Sequence, residues 1–189
     1  MMNGKKASKV YYKMDYESPL GRLTLASDGD ALVGLWLPGQ KYFEATVTGA
    51  VTKTKELSVF RVVKAWLDRY FAGEEPDISS LSLAPEGTPF RQEVWKILCQ
   101  IPYGETITYG EIARQVAEKM DKPGMSPQAV GGAVGHNPIS IIIPCHRVVG
   151  TDGRLTGYAG GIPAKVWLLK NEKVDLRRLT NPANRFMNF

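Results

Sequence analysis

The stretch "SPQAVGGAVGHNPISIIIPCHRVVG", residues 126–150, carries the strongest structural and chemical signals in this chain. It begins with a Ser-Pro pair, which is typical of a helix that has an N-cap and a proline in its first turn. It ends with Cys145 and His146 behind a run of branched aliphatic residues. This Cys-His pair is open to three interpretations: a catalytic pair, a metal site, or a buried cysteine beside a surface histidine.

The predicted helix after Ser126 is almost bare of side chains. Glycine recurs in it, although each glycine costs a helix about 1 kcal/mol relative to alanine. Close packing against a neighbouring helix would explain this composition. Close approach to another molecule would explain it as well, because a bare helix fits the minor groove of DNA, about 6 Å wide. The small residues are Ala129, Gly131, Gly132, Ala133 and Gly135.

Cys145 and His146 are not expected to touch each other directly. Adjacent side chains point to opposite faces of a strand and diverge by about 100° in a helix. A bridging water or a sharp turn is therefore needed if the imidazole is to act on the thiol. Pro144 favours an irregular backbone at this point, which is compatible with either arrangement.

Upstream of this stretch, the pattern predicts a helix-turn-helix. A helix is expected after Thr108, the segment "DKPGM" breaks it, and the short bare helix follows. Another helix is expected to begin at Thr88-Pro89. Its predicted apolar face consists of Phe90, Val94, Ile97, Leu98 and Ile101.

The N-terminal part predicts strands followed by one helix. "KVYYKMDYES" and "GRLTLASDGDALVGLWLPG" read as strands joined by turns at residues 18–21 and 28–30. A helix is predicted up to Gly73, with its apolar positions at Val59, Val62, Val63, Trp66, Leu67 and Tyr70.

The predicted fold class is α+β. The proline-containing segment before Thr88 places a domain boundary near residues 83–88. We expect a small antiparallel sheet with a helix in residues 1–86 and a mainly helical domain in residues 87–176. Residues 177–189 are expected to form a basic tail.

Composition and charge limit the function classes. Two cysteines and two histidines make a poor zinc ligand set, so we expect no metal, and no cofactor motif is recognised. No apolar run is long enough to span a membrane and no secretory signal is recognised, which predicts a cytoplasmic protein. Residues 1–84 hold 11 Lys/Arg and 10 Asp/Glu, whereas residues 85–189 hold 13 and 9. The basic second half favours an anionic partner such as nucleic acid.

The motif Pro144-Cys145-His146-Arg147-Val148 resembles the PCHRV signature of the O6-alkylguanine-DNA alkyltransferases, also called methylated-DNA–protein-cysteine methyltransferases. Residues 126–150 resemble that family's recognition helix, asparagine hinge and active-site strand in unbroken order. "ITYGEIA" resembles the preceding helix, and "GYAGGIPAKVWLLKNE" resembles the active-site loop and the helix that follows. The specific matches cover roughly residues 90 to 172. The N-terminal part fits the family's ribonuclease H-like domain only by its size and layout.

The resemblance implies a role for each matching residue. Cys145 would be the acceptor thiol, His146 a base that reaches it through a water molecule, and Glu172 the carboxylate that orients His146. Asn137 would be the hinge amide between the recognition helix and the active-site strand.

The resemblance also implies the contacts with the substrate. Tyr109 would donate a hydrogen bond to the guanine ring, the carbonyl of Val148 would accept one from the exocyclic amine, and Tyr158 with the N–H of Ala159 would line the pocket near O6. The residues assigned to DNA contact are Ser126, Gln128, Ala129 and Gly132.

The implied function is single-turnover repair of DNA. The alkyl group of O6-alkylguanine, with O4-alkylthymine as a further candidate lesion, would pass to Cys145 after the base has flipped out of double-stranded DNA. The protein is expected to act as a monomer, without a membrane. Gln128 departs from the family, which usually has an arginine there.

Less specific interpretations stay open at this point. Tyr109 could merely cap a helix, Glu172 could be a solvated helix residue, and Tyr158 could anchor a loop. Arg147 is expected to form an internal ion pair rather than a DNA contact. Two other function classes are a DNA-binding protein without transfer chemistry and a cysteine hydrolase for small acyl substrates.

Overall fold

The computed structural model describes residues 9–179. Within this range the N-terminal part forms a four-stranded sheet covered by one helix, and the rest is mainly helical. The strands of the sheet are β1 (Val10–Ser18), β2 (Gly21–Ser27), β3 (Leu32–Trp36) and β4 (Ala50–Lys53). Residues 1–8 and 180–189, which hold the basic start and most of the predicted tail, lie outside the described residues.

Both predicted turns of the sheet are confirmed. Gly21 closes the β1–β2 hairpin at a φ of 94°, and the Ser18 hydroxyl donates to its carbonyl at 2.7 Å. In the β2–β3 turn, the Asp28 carboxylate accepts hydrogen bonds from the backbone N–H groups of Asp30 and Ala31. Such side-chain caps are the reason that Ser, Asp and Gly mark turns in a sequence.

The sheet is mixed, whereas the sequence predicted an antiparallel one. Strands β1, β2 and β3 are antiparallel neighbours as expected, but β4 pairs with β1 in parallel at the edge of the sheet. All four residues of β4 are exposed, so the strand has no alternation of polar and apolar residues to reveal it. A parallel neighbour also needs a long connection, and between β1 and β4 the chain passes through β2, β3 and residues 37–49.

Helix α1 (Ser58–Phe71) covers the sheet at the predicted place. Five of the six predicted apolar positions are buried together with Phe60, while Val62 is 47% exposed. The helix ends just before Gly73, which has a φ of 83°. Glycine adopts this left-handed conformation without the penalty that a side chain brings.

The second half contains the predicted helix-turn-helix. Helices α3 and α4 pack against each other and against α2. The side chains of Thr88 and Ser126 cap the N-termini of α2 and α4, as the sequence predicted, and the Thr108 side chain caps α3, which begins directly after it as expected. The elements are α2 (Pro89–Leu98), β5 (Ile107–Thr108), α3 (Tyr109–Lys119), α4 (Pro127–Gly135), β6 (Val148–Val149) and α5 (Ile162–Asn171).

Trp95 is a buried anchor between α2 and α4 that the predicted apolar face omitted. The face prediction holds for four of its five members, but Phe90 is only partly buried. Trp95 is 1% exposed, and its indole N–H donates to the carbonyl of Ala133 at 2.9 Å. The indole thus joins the scaffold helix to the helix that bears the glycines.

The aliphatic run before Cys145 is a buried turn and not the expected strand. Ile139 makes a single bridge with Leu35 of β3, and the chain then turns tightly. Each isoleucine of the run is at most 2% exposed, so the run is core as expected. A regular strand does not form because the Asn137 side chain occupies hydrogen-bonding groups of this backbone. It donates to the carbonyl of Ile143 and accepts from the N–H of Ile139.

Leu35 also joins the two parts of the molecule. Its N–H donates to the carbonyl of Pro138, and its carbonyl accepts from the N–H of Ser140, each at 2.9 Å. The main hydrophobic core accordingly runs from the sheet and α1 through to α5.

Across residues 9–179, no helix has the length and apolarity that crossing a membrane requires.

We expect Trp95→Phe to lower the free energy of unfolding by about 1–3 kcal/mol, because the Ala133 carbonyl loses a buried donor and the smaller ring leaves unfilled volume. Urea denaturation followed by circular dichroism measures this. Trp167→Phe is the matched control, since the partly buried Trp167 indole donates no hydrogen bond within the described residues. Equal losses in the two variants would contradict the role of the indole N–H.

Candidate active site

Cys145 opens a single 3-10 turn, Cys145–Arg147, and is 3% exposed. Its thiol lines a cavity of about 250 Å³. The cavity wall is built from α4, the first residue of α3, the loop at residues 157–159 and two residues of the N-terminal part. A buried nucleophile therefore faces a cavity that four separate segments of the chain shape.

Asn137 connects the end of α4 with the turn that carries the thiol. Its amide nitrogen donates to the carbonyl of Ile143 at 2.8 Å and to Sγ of Cys145 at 3.1 Å, and its oxygen accepts from the N–H of Ile139 at 3.0 Å. The side chain is nearly inaccessible, with 3% exposure. This residue lies at the bridging position that the resemblance implied.

His146 and Glu172 form a buried pair beside the thiol. His146 Nε2 lies 2.6 Å from Glu172 Oε1, and neither side chain is accessible to solvent. No direct hydrogen bond joins the imidazole to Sγ, in line with the diverging directions of adjacent side chains. Nδ1 of His146 is buried and has no hydrogen-bond partner within residues 9–179.

Arg147 also donates hydrogen bonds to Glu172. Its Nε donates to Oε2 at 2.8 Å and its Nη2 to Oε1 at 3.0 Å, while Nη1 donates to the carbonyl of Ile101 at 2.6 Å. The predicted internal ion pair is therefore confirmed. Bidentate pairing of this kind is the strong form of the arginine–carboxylate contact.

Burial holds Cys145 and His146 in their neutral forms. It raises the pKa of the Cys145 thiol, although the Asn137 hydrogen bond and the charge of Lys165 act in the opposite direction. It lowers the pKa of His146, although Glu172 opposes that effect. At neutral pH the thiol thus keeps its proton, and the imidazole is free to accept one.

Glu172 stays ionised although it is buried. Burial raises the pKa of this carboxyl group, but the hydrogen bonds and charges of His146 and Arg147 outweigh that effect and bring the pKa to about 2. The site therefore contains a fixed negative charge behind a neutral base. Such a charge favours the imidazolium that forms when His146 takes up a proton.

Tyr109, Tyr158 and Ala159 line the cavity, whereas Val148 does not. The Tyr109 hydroxyl donates to the carbonyl of Thr156 at 3.3 Å, and the Tyr158 hydroxyl is buried without a partner in the described part of the chain. The carbonyl of Val148 accepts a hydrogen bond from Lys165 at 2.5 Å. The structure thus brings together three of the four residues predicted to contact the base.

The outer surface of α4 is open. Ser126, Gln128, Ala129 and Gly132 are all exposed, as residues that contact DNA need to be. A methyl group added at Gly132 or Gly135 would meet no atom within 4 Å. Close packing within the described residues therefore does not explain these two glycines, which favours close approach to another molecule.

The comparisons with known proteins agree with this geometry. Residues 10–85 match the ribonuclease-like domain of 6-O-methylguanine DNA methyltransferase, and residues 89–174 match its DNA-binding domain. A methylated-DNA–protein-cysteine methyltransferase of Haemophilus influenzae is 44% identical over 165 residues, which is 87% of each chain. One from Methanosarcina barkeri is 46% identical over 89% of this chain and its own full length.

The chain belongs to the 6-O-methylguanine DNA methyltransferase family. Among solved structures, Mycobacterium tuberculosis OGT in complex with DNA is similar with a TM-score of 0.72 and 44% identity, covering 90% of this chain and 94% of its own. A Methanococcus jannaschii O6-methylguanine DNA methyltransferase is similar with a TM-score of 0.60 and 31% identity, covering 86% and 94%. The predicted family and fold class are thereby confirmed.

Lys165 is a buried charged residue close to the site that was not predicted from the sequence. It is fully buried in α5, and its ammonium group donates to the carbonyls of Val148 and Thr156. Burial lowers its pKa to about 8, although the charge of an ionised Cys145 would oppose this. The one available signal was a lysine within the apolar run "IPAKVWLL", which offers no acidic neighbour at helical spacing.

Lys41 and Tyr42 line the cavity and were not predicted from the sequence either. The Tyr42 ring stacks on His136 at the end of α4, with ring centroids 3.9 Å apart and an interplanar angle of 19°. The backbone N–H of Lys41 donates to the carbonyl of Ala159 at 3.0 Å. Their segment lies in the irregular connection between β3 and β4, where no periodicity marks a site.

The pKa of Glu172 predicts how the stability depends on pH. The folded-state pKa of about 2 lies below the usual value of 4.5, so this group stabilises the fold above pH 4.5 and its contribution is lost as the pH falls toward 2. In Glu172→Gln we expect a shallower decline over this range, measured by urea denaturation at a series of pH values. At pH 7 the variant should lose about 3–5 kcal/mol, because Arg147 keeps its buried charge without a partner.

Glu93→Gln is the matched control for that experiment. Glu93 pairs with Lys96 on the surface of α2, so its loss should cost at most about 1 kcal/mol and leave the decline in acid as in the wild type. An unchanged decline in Glu172→Gln would refute the assignment of the acid sensitivity to Glu172.

Proposed function

We propose that the protein repairs alkylated DNA by moving the alkyl group from O6 of guanine directly onto Sγ of Cys145. The observation that carries this proposal is the environment of the thiol. It is buried, lies 3.1 Å from the Asn137 amide and adjoins the His146–Glu172 pair. It also lines a cavity whose wall includes the open helix α4.

The transfer is a single displacement. Sγ attacks the alkyl carbon, the C–S bond forms as the bond from that carbon to O6 breaks, and the thiol proton passes to His146 through a bridging water. The departing guanine keeps the electron pair of the broken bond and takes up a proton from water, and the His146 imidazolium then releases its proton to the solvent. Tyr109 supports this step by donating a hydrogen bond to the base as negative charge develops on it.

The reaction ends after one turnover. The product at Cys145 is a thioether, which neither the imidazole nor water cleaves. The proposal requires no cofactor, and no step returns the thiol. One molecule of protein is therefore consumed for each lesion, in contrast to a cysteine hydrolase, whose thioester intermediate is released by water.

The lesion reaches the thiol by base flipping. The O6 atom of a stacked guanine is out of reach, so the nucleotide has to leave the duplex, which costs a few kcal/mol and is easiest for a poorly paired base. We assign α4 to the minor groove because Ser126, Gln128, Ala129 and Gly132 are exposed on it. Gln128 then enters the space left by the base and hydrogen-bonds the orphaned partner.

The division of labour follows the two matched regions. We propose that residues 87–176 bind DNA and carry out the transfer, and that residues 1–86 support them as a structural domain. The protein acts as a monomer on double-stranded DNA, and residues 177–189 add positive charge.

Incubation with a duplex that contains O6-methylguanine should raise the mass of the intact protein by one methyl group and no more. Intact-protein mass spectrometry measures this, and a duplex with O4-methylthymine extends the test to the further candidate lesion. Cys145→Ser should abolish the gain because it removes the acceptor. Cys99→Ser, which alters the other free cysteine, should retain it.

Two outcomes would refute the transfer proposal. Binding of the duplex without any change in mass would indicate a DNA-binding protein that lacks transfer chemistry. Repeated turnover of a small ester by the wild type, with no change in mass, would indicate a hydrolase.

Replacing Gln128 tests the finger role. Gln128→Ala should slow repair and weaken binding of the damaged duplex, by up to about tenfold for a lost hydrogen bond. Gln128→Arg should tighten binding, because a guanidinium group adds charge and stacking. Single-turnover kinetics and fluorescence anisotropy measure the two effects, with Gln100→Ala, an exposed glutamine after α2, as control. A Gln128→Ala variant that matches the control would exclude the role.

A further inference from the structure

Tyr70, in the last turn of α1, reaches into the active site from the N-terminal part of the chain. Its hydroxyl donates to Glu172 Oε1 at 2.7 Å and lies 3.5 Å from His146 Nε2. The ring is 1% exposed and stacks on Trp66, with centroids 5.3 Å apart and an interplanar angle of 9°. The hydroxyl is thus held at the carboxylate by rigid packing.

The backbone of Tyr70 is fixed to the same region. Its carbonyl accepts a hydrogen bond at 2.9 Å from the side-chain amide of Asn171, the residue that precedes Glu172. Tyr103 in turn donates to the carbonyl of Asn171 at 3.0 Å. Both the backbone and the side chain of Tyr70 therefore form hydrogen bonds with the end of α5.

Three donors share one oxygen of Glu172. Oε1 interacts with His146 Nε2 at 2.6 Å, Tyr70 at 2.7 Å and Arg147 Nη2 at 3.0 Å. The Tyr70 hydroxyl keeps its proton near neutral pH. Burial is the main cause, and the charge of Glu172 adds to it; together they raise the pKa of Tyr70 far above its usual value. Tyr70 is therefore a permanent donor that competes with His146 for the same acceptor.

We propose that Tyr70 is a positioning residue of the transfer reaction, which shares Glu172 Oε1 with His146 and thereby sets how strongly the carboxylate holds the imidazole. This inference rests on the proposed function, since it assigns the proton of the thiol to His146. Tyr70 does not touch the reacting atoms. It acts through Glu172, and it makes the N-terminal part a contributor to the chemistry.

The direction of the effect follows from the charges around the pair. Besides Tyr70, the groups that face Glu172 and His146 are Arg147, Tyr103, Tyr158 and Lys165. Without the Tyr70 hydroxyl, Oε1 concentrates more negative charge toward His146 and favours the imidazolium. The imidazole then keeps a proton up to a higher pH, and less of the free base is present on the acid side of neutrality.

Tyr70→Phe removes only the hydroxyl, and Tyr16→Phe is its matched control. Tyr16 is a similarly buried tyrosine of the same sheet–helix unit, and its hydroxyl donates to Asp68 of α1 at 2.9 Å. Both variants keep the aromatic ring and lose one hydrogen bond to a carboxylate. They differ in that only Tyr70 reaches Glu172.

The first measurement is the single-turnover rate of methyl transfer from an O6-methylguanine duplex, at saturating protein, as a function of pH. For Tyr70→Phe we expect the acid limb of the profile to move upward by about half a pH unit or more. On that acid limb the rate at a given pH should fall by about threefold or more, which is the factor that a shift of half a pH unit produces. Tyr16→Phe should keep the acid limb of the wild type.

The second measurement needs no activity. The chain has only two histidines, so NMR of protein labelled in the imidazole rings reports His146 and His136 separately. In Tyr70→Phe, the His146 signal should titrate at a higher pH than in the wild type. A circular dichroism spectrum that matches the wild type shows that the variant is folded.

The two proposals fail in different ways. If the wild type transfers the methyl group but Tyr70→Phe and Tyr16→Phe have the same acid limb and the same His146 titration, the role of Tyr70 is wrong and the proposed function stands. If the wild type gains no methyl group, the proposed function is wrong, whatever the histidine titrations show.

Discussion

A buried carboxylate organises this molecule. Taking a charged group out of water costs several kcal/mol unless every lone pair finds a donor. Glu172 is 1% exposed and draws its donors from α1 and from the 3-10 turn after Pro144. Tyr70 and His146 are 76 residues apart in the sequence, so the carboxylate is satisfied only when both parts of the chain have folded together. The same contacts fix the position of the imidazole beside Cys145.

The thiol depends on a second, local constraint. The chain turns sharply after Ile139, and Ile141 lies in the left-handed region with a φ of 71°. A β-branched residue in this conformation stores of order 1–3 kcal/mol of strain and persists only where its surroundings over-determine it. The Asn137 side chain holds the backbone in this conformation through its hydrogen bonds to Ile139 and Ile143. The amide that reaches Sγ is thus also the group that holds the irregular backbone in place.

The sequence predicts the elements with strong local signals and misses those that tertiary contacts create. Caps such as Thr88 and Ser126 are local chemistry, so these helix starts could be predicted. The irregular path of residues 139–143 could not, because branched aliphatics favour a strand unless a distant amide takes their hydrogen bonds. The parallel edge strand β4 was not predicted because all of its residues are exposed, so it has no alternation of polar and apolar residues.

The same division holds for the site. The residues near Cys145 were found through a motif that the family shares, and the comparisons confirmed the family. Tyr70 and Tyr42 carry no motif, and only the fold brings them to the carboxylate and to the cavity. Periodicity placed Tyr70 on the buried face of α1, but it could not say which group would meet the hydroxyl.

The joint between the two matched regions has a consequence for how such proteins can evolve by recombination. Leu35 exchanges backbone hydrogen bonds with Pro138 and Ser140, and the Ser140 hydroxyl donates to the buried side chain of Gln40 at 2.9 Å. The backbone hydrogen bonds of this joint do not depend on which side chains are present, whereas the Gln40–Ser140 hydrogen bond requires a donor and an acceptor at these two positions. A chimaera that combines the halves of two relatives would therefore form the backbone hydrogen bonds of the joint whatever its side chains are. It would form the side-chain contact only if both partners, the residues at positions 40 and 140, came from the same relative or happened to match.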